Sequence, residues 1–392
     1  MDAPAPPASL VRPPLGVSAA SFVSSFDRFA VSPMLVVIAT DLGAPLSASV
    51  AAASGYYLAY GLTQPLWGVL SDRFGRVRVM RGALFGAALA GLVSALMPAL
   101  WALVAARVVT GACFGAVIPT GLTYVGDTVR AEARQRALTD LMGAAALGTA
   151  LATGLAGALA GLVSWRVAFT VPAACALACA LALRALPEPR REGGPAGVAR
   201  FLRLVLGHRW ALLVFALAFT EGAIMLGVMP FLAPALEHAG VAAALAGLGI
   251  TAYGLGLWAQ AKLVKRLSGR WPAPLLMAAG GAQLVAGFAL AAAHVSMVTV
   301  AVTALLLGGG WSFLHSSLQT WATSVVPQAR GTTVAFFAAA LFVGSAVSSW
   351  AAGPLAEEGR YPLLFGLAAA AALPLTAVAV LTRRRYLLAR TA

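Results

Sequence analysis

Apolar residues form long runs along this 392-residue chain, and polar residues collect in short breaks between the runs. A helix needs about 20 mainly apolar residues to cross the hydrocarbon core of a bilayer. The runs approach or exceed that length, so the pattern predicts an all-α membrane protein with twelve transmembrane helices. They are expected at residues 15–40, 48–70, 78–97, 101–125, 137–161, 166–186, 210–235, 242–262, 272–293, 296–325, 331–353 and 361–382.

A polar stretch at residues 187–209 divides these helices into two sets of six. We expect an N-terminal six-helix bundle over residues 15–186 and a C-terminal six-helix bundle over residues 210–382, joined by a cytoplasmic linker. Residues 1–14 and 383–392 are expected to form cytoplasmic tails.

Composition and charge agree with a membrane protein. Hydrophobic residues make up 60% of the chain and charged residues 10%, against roughly 45–50% and about 25% in soluble domains. The net charge is +14, and most Lys and Arg residues lie in alternate loops and at the chain ends. Cytoplasmic loops retain such residues. We therefore expect a multi-pass protein of the bacterial inner membrane with both termini in the cytoplasm, and we exclude a nucleic-acid-binding role.

The two halves resemble each other, which is typical of transporters. Several landmarks recur in the same order, 193 to 197 positions later. They are Pro33 and Gly43 with Pro230 and Gly240, Tyr60-Gly61-Leu62 with Tyr253-Gly254-Leu255, and Arg134 and Gly148 with Arg330 and Gly344. The repeat predicts two pseudo-symmetric bundles that face each other across a cavity, a layout suited to alternating access.

Three segments carry a family resemblance. The loop G-V-L-S-D-R-F-G-R-V-R at 68–78 resembles the loop signature of the major facilitator superfamily. The segments A-A-R-V-V-T-G-A at 105–112 and V-S-W-R-V-A-F at 163–169 resemble the patterns of its fourth and sixth helices. Within that superfamily, the chain looks most like the twelve-helix drug:proton antiporters and sugar-efflux-like transporters.

The resemblance implies a conformational latch at the cytoplasmic face. In the family, charges of this loop hold the two halves together when the cavity opens outward. Asp72, Arg76 and Asp127 would take that role here, while glycines permit close helix approach and a tight turn. The alternative is that the arginines only enforce topology. The full set assigned to the latch is Gly68, Asp72, Arg73, Gly75, Arg76 and Asp127.

Charges inside the membrane are costly and point to function. Asp27 and Arg28 lie midway along the first predicted helix, Arg107 in the fourth and Glu221 in the seventh. Burial raises the pKa of a carboxyl group, so we expect Asp27 and Glu221 to carry protons, with Arg107 and Arg28 as cationic partners. The alternative is a structural ion pair or a hydrogen-bonded core acid.

Polar and aromatic side chains at helical spacing predict a substrate cavity. Trp311, His315 and Gln319 share one face of the tenth helix, and Tyr56, Tyr60 and Gln64 share one face of the second. Such a lining suits an amphipathic organic ligand. The alternative is that these residues only pack helices.

Together these features predict a monomeric proton-coupled transporter that exports a small amphipathic organic compound by proton antiport, with no enzymatic activity and no cofactor. Antiporters of the family carry a Gly-Pro kink in the fifth helix, but residues 148–157 here read G-T-A-L-A-T-G-L-A-G. Proton-coupled import therefore stays open, as does a non-transporting membrane sensor with this fold.

Overall fold

The computed structural model describes residues 10–189 and 198–391, and it is almost entirely helical. Each half of the chain contributes six long helices. The first six are α1 (Leu15–Asp41), α2 (Ala51–Phe74), α3 (Arg76–Leu96), α4 (Leu100–Thr128), α5 (Ala131–Leu162) and α6 (Trp165–Ala185). The second six are α7 (Arg209–His238), α8 (Ala243–Leu267), α9 (Ala273–Ala293), α10 (Met297–Val325), α11 (Arg330–Glu357) and α12 (Tyr361–Thr391).

Ten of these helices are long and apolar enough to cross a membrane. The other two, α2 and α8, have 24 and 25 residues and complete the six of each half. No strand occurs within the described ranges, where Leu10 and Val129 form an isolated bridge. The expected all-α fold with twelve helices in two bundles is confirmed.

The segments expected outside the bundles are partly helical as well. The linker contains a short helix over Val198–Leu206, and residues 190–197 lie outside the described residues. Helix α12 continues into the expected C-terminal tail, from residue 383 to Thr391.

Four helices are interrupted, and they occupy equivalent places in the two halves. A 3₁₀ turn over Ser32–Met34 breaks α1, and one over Met229–Phe231 breaks α7. Each contains a proline near its start, Pro33 or Pro230, which removes a backbone donor and favours a break. Helix α4 is interrupted after Phe114, and α10 contains a π-helical segment after Gly310.

Close glycine packing explains part of the repeat. A methyl group at Gly148 on α5 would overlap the carbonyl oxygen of Phe22 on α1. A methyl group at Gly344 on α11 would overlap the carbonyl oxygen of Phe219 on α7. Phe22 and Phe219 are 197 positions apart. In each half, therefore, the same pair of helices meets backbone to backbone.

Further glycines bear on the sequence alignment of the halves. Gly111 and Gly115 on α4 face the carbonyl oxygens of Tyr56 and Tyr60, and Gly308 on α10 faces that of Tyr253. The contact at Tyr253 therefore matches Tyr56 at a step of 197 positions, as for Pro33 and Pro230, and Tyr60 at a step of 193.

The two halves contact each other through α2 with α11 and α5 with α8. A Cβ atom at Gly61 would lie 2.6 Å from Cβ of Phe342, and one at Gly157 would lie 3.2 Å from Cα of Gly247. Ser47, before α2, donates a hydrogen bond to Glu357 at the end of α11. We call the end that carries the Arg-rich loops and the linker the basic end. These contacts lie at the centre of the bundle and toward the opposite end.

Candidate functional site

A buried ion pair joins α1 to α4 at the centre of the N-terminal half. Arg107 donates from Nη1 to Oδ1 of Asp27 at 3.1 Å and from Nη2 to Oδ2 at 2.9 Å. Nη2 also lies 3.3 Å from the backbone oxygen of Asp27. The side chains of Arg107 and Asp27 are 0% and 1% exposed. This fork geometry is the strong form of a charged hydrogen bond.

Aromatic rings cover the remaining faces of the guanidinium group. The Cζ atom of Arg107 lies 4.6 Å from the ring centre of Tyr56 and 4.5 Å from that of Phe169. A cation over such rings is stabilised by their negative faces. Arg107 is therefore enclosed by one carboxylate and two rings, and its bidentate partner is supplied by the protein itself.

The C-terminal half holds a second buried acid, with a different partner. Glu221 on α7 faces His315 on α10, with Oε2 and Nδ1 3.0 Å apart. Their side chains are 0% and 7% exposed, and Oε1 of Glu221 has no hydrogen-bond partner. In the repeat, Glu221 corresponds to Ser24, one helical turn nearer the basic end than Asp27. The two pairs join equivalent helices at different depths.

The π-helical segment Trp311–His315 positions the histidine. Its ring stacks on Trp311 with the centroids 3.8 Å apart. Three glycines precede the segment, and a methyl group at Gly309 would overlap the side chains of Gln260 and Gln283. Single π-turns inside helices often occur at functional sites. Neither the π-turn nor the two glutamines was predicted from the sequence, in which the run Gly308-Gly309-Gly310 is the signal for such close packing.

Arg28 lies near the same centre but does not pair with Asp27. Its Cζ atom lies 5.0 Å from the ring of Phe29, 5.2 Å from that of Tyr60 and 5.4 Å from that of Phe342. Phe342 belongs to α11, so Arg28 lies where the two halves meet. Arg28 forms no hydrogen bond or ion pair with Asp27, whose two carboxylate oxygens both accept from Arg107.

The residues assigned to the substrate cavity are placed differently from one another. Tyr56 and Tyr60 are buried, their rings are stacked with centroids 6.0 Å apart, and neither hydroxyl group has a hydrogen-bond partner. Gln64 is buried on the same helix. On α10, Trp311 stacks on His315, whereas Gln319 is exposed.

The charges assigned to the latch meet at the basic end of the N-terminal half. Arg76 forms an ion pair with Asp72, and its Nε lies 3.2 Å from Oδ2 of Asp127. Its Nη1 donates to Oγ of Ser71 at 2.8 Å. Arg73 instead places its guanidinium group 5.4 Å from the ring centre of Phe74. These bonds all lie within the N-terminal half.

The glycines of the same loop differ in their surroundings. A methyl group at Gly68 would meet nothing within 4 Å, so the close helix approach expected there is absent in this structure. Gly75 has φ 106°, and a Cβ atom there would lie 2.5 Å from Cδ of Glu188. The Glu188 carboxylate accepts from the backbone N–H groups of Val77 and Arg78, both at 3.2 Å. The lack of a side chain at Gly75 thus leaves room for a carboxylate of the linker, which caps α3. This contact was not predicted from the sequence.

An exposed ion pair marks the opposite end of the N-terminal half. Arg166 donates from Nη1 to Oδ2 of Asp41 at 2.6 Å, and the side chains are 38% and 46% exposed. The indole N–H of Trp165 donates to the same oxygen at 3.0 Å. Like the buried pair of Asp27 and Arg107, this pair consists of an aspartate and an arginine, but its side chains are exposed to solvent.

Similar sequences are transport proteins. A triacylglyceride transporter of Mycolicibacterium smegmatis is 32% identical over 134 residues, which cover 33% of this chain and 24% of that protein. The multidrug export protein EmrB of Haemophilus influenzae is 29% identical over 130 residues, which cover 33% of this chain and 26% of that protein. The class C tetracycline resistance protein of Escherichia coli is 40% identical over 81 residues, which cover 21% of this chain and 20% of that protein. The matches therefore span about a quarter or less of each relative.

Solved structures with the same fold cover nearly the whole chain. A bacterial homologue of the human lysosomal transporter Spinster, in an inward-facing and unoccupied conformation, has a TM-score of 0.76 at 15% identity and covers 95% of this chain and 96% of its own. The D-xylose-proton symporter has a TM-score of 0.72 at 17% identity, covering 91% and 95%. At such identities the likeness shows the fold.

The family follows from a match that extends over most of the chain. The model of the Major Facilitator Superfamily matches residues 17–349, from the start of α1 to near the end of α11. It includes both halves, both buried acid pairs and the loop at 68–78. This chain belongs to the Major Facilitator Superfamily and is a multi-pass membrane protein.

Proposed function

We propose that this protein is a proton-coupled secondary transporter that exports a small amphipathic organic compound by alternating access, in exchange for protons. The observation that carries the proposal is the pair of buried acids, one on the first helix of each half. Asp27 is held by Arg107, and Glu221 is held by His315. Buried ionisable groups at this depth are costly to keep and are typical of proton and substrate pathways.

The two pairs are suited to different tasks. Arg107 does not release its proton in proteins, so protonation of Asp27 would break a bidentate bond and leave a buried cation without its counter-ion. A carboxyl group and an imidazole, unlike a guanidinium group, can each bind and release a proton. We assign the transported proton to Glu221 and His315, and the positioning of α4 against α1 to Asp27 and Arg107.

Membrane topology and the named relatives bear on the proposed direction of transport. The positive-inside rule puts the basic end in the cytoplasm, and the halves contact each other at the centre and the opposite end. We infer that this arrangement corresponds to an inward-facing state, through which both an exporter and an importer would pass. Relatives named as multidrug export and tetracycline resistance proteins support export.

Import by proton symport is the second candidate. Helix α5 runs over Ala131–Leu162 with no proline inside it, whereas antiporters of the family carry a Gly-Pro kink there. The D-xylose-proton symporter also shares the fold. The direction of proton movement relative to substrate separates the two candidates.

The test uses inside-out membrane vesicles with an acidified interior and a panel of amphipathic compounds. An antiporter takes up a substrate while protons leave, so the compound accumulates and a pH-sensitive dye reports loss of the gradient. A symporter instead lets preloaded compound leave together with protons. Glu221→Gln is expected to abolish gradient-driven accumulation while sparing substrate exchange. The control is Glu358→Gln, an exposed loop carboxylate. The proposal fails if Glu221→Gln still accumulates substrate with an unchanged pH dependence.

A further inference from the structure

Arg28 is a central cation without a counter-ion. Its guanidinium group contacts the rings of Phe29, Tyr60 and Phe342, and it forms no hydrogen bond or ion pair with any residue of the two described ranges. Arg28 is half-buried, and its Nε is fully buried without a hydrogen-bond partner. Contacts with aromatic rings stabilise a cation less than a counter-ion does at such a position. The three rings therefore leave room for an anionic partner of Arg28.

Two tyrosines with unpartnered hydroxyl groups share an aromatic neighbour with this cation. The hydroxyl groups of Tyr57 and Tyr60 are buried and have no hydrogen-bond partner. The ring of Tyr57 stacks on Phe342 at 6.3 Å and that of Tyr60 lies 4.8 Å from it, so both tyrosines share a neighbour with Arg28. An arginine offers five N–H donors and no acceptor, and each phenol offers an O–H donor.

The nearby acids are engaged elsewhere. Both oxygens of Asp27 bind Arg107, and Oε2 of Glu221 faces His315. Oε1 of Glu221 is unpartnered, but no ion pair joins it to Arg28. The centre of the molecule therefore presents a cation and two hydroxyl groups at the junction of the halves, and their missing complement is an anion rich in acceptors.

We infer that Arg28, with Tyr57 and Tyr60, binds the acidic headgroup of the substrate, a carboxylate or a phosphate, while Phe29 and Phe342 contact its apolar body. The substrate class is then the amphipathic organic acids. This inference rests on the proposed transport function and names its substrate class. Arg107 is excluded from the role because its own fork is already filled by Asp27.

Binding of matched probes to the purified protein, at equilibrium and without a gradient, tests the inference. Decanoate and decyl phosphate carry the two acidic headgroups, and decanamide is the neutral counterpart. We expect at least one acid to bind about ten-fold or more tightly than the amide, which equals about 1.4 kcal/mol. The ranking of the two acids identifies the preferred headgroup. Amide binding as tight as that of both acids, or no acid binding up to about 1 mM, where binding is worth about 4 kcal/mol, overturns the inference.

Variants at Arg28 separate its charge from its shape. Arg28→Gln is expected to remove the preference for acids, and Arg28→Lys to keep part of it, because lysine retains the charge without the planar fork. Arg360→Gln removes a charge from an exposed loop and should leave the preference unchanged. Each variant is checked for a monodisperse elution profile and a cooperative thermal transition. A preference that persists in folded Arg28→Gln overturns the inference, and so does one lost equally in Arg360→Gln.

The two proposals fail separately. Glu221→Gln should retain the acid preference, because the headgroup site does not include the proton pair. An intact acid preference together with proton-independent transport would refute only the proposed coupling. Proton-driven accumulation that favours neutral compounds would refute only the assignment of Arg28.

Discussion

The buried pair of Asp27 and Arg107 gives the sharpest stability prediction. Asp27→Asn preserves the shape of the side chain but removes its charge, so Arg107 becomes a buried cation facing a neutral amide. Arg107 cannot turn toward water, because its side chain is fully buried and rings of Tyr56 and Phe169 cover it. Removing one partner of a buried pair costs about 3–5 kcal/mol. We expect a loss of that size in the free energy of unfolding.

A double-mutant cycle isolates the interaction itself. Arg107→Gln should also lower the free energy of unfolding by several kcal/mol, since it leaves the Asp27 carboxylate alone. The double variant Asp27→Asn with Arg107→Gln buries no charge and should lose about 2–3 kcal/mol less than the sum of the single variants. The free energies are measured by denaturant titration of the purified protein in mixed micelles.

The exposed pair at the opposite end provides the matched control. Asp41 and Arg166 are the same residue types, also on two helices of the N-terminal half, but they are about 40% exposed. Exposed pairs contribute about 0–1 kcal/mol, so Asp41→Asn should have little effect. If Asp27→Asn costs no more than Asp41→Asn, burial does not set the strength of the central pair and the reasoning is wrong.

Three further outcomes are expected. Gly344→Ala should lower the free energy of unfolding by about 1–3 kcal/mol, because the new methyl group forces α11 away from the carbonyl oxygen of Phe219. The control Gly331→Ala has open space around the new methyl group and should leave the free energy of unfolding unchanged. Equal thermal stabilities of the two variants would contradict this prediction. Glu188→Ala uncaps α3 and should speed tryptic cleavage in the linker, so an unchanged cleavage rate argues against the cap. Asp72→Asn should slow transport and leave substrate affinity within a few-fold; a large loss of binding at normal rate would refute a conformational role.

Features that depend on local composition could be predicted from the sequence. The twelve helices follow from run length, and the central position of Asp27, Arg107 and Glu221 follows from their place within apolar runs. The ion pair of Asp27 with Arg107 was one of the alternatives, because few cations lie at that depth. Each of these predictions requires only the number of residues between a given residue and the nearest polar stretch that ends its apolar run.

Features that depend on helix rotation and packing could not be predicted. His315 reaches Glu221 through a π-turn, and one extra residue in a turn shifts every following side chain around the helix axis. Glu188 reaches α3 from a distance of 111 residues along the chain. No residue near Glu188 in the sequence indicates this contact, and on the side of α3 the glycine at position 75 is the one sign of it.

Helix α5 has a consequence for how motion spreads through the molecule. At Gly148 its backbone touches that of α1, two turns or less from Asp27. At Ala150 and Gly157 it touches α8 of the other half, again with almost no side chain between them. Long side chains can absorb a displacement by changing rotamer, but backbone atoms in contact cannot. A tilt of the C-terminal half would therefore be transmitted through α5 to α1 with little slack, and the carboxylate of Asp27 would be displaced with it.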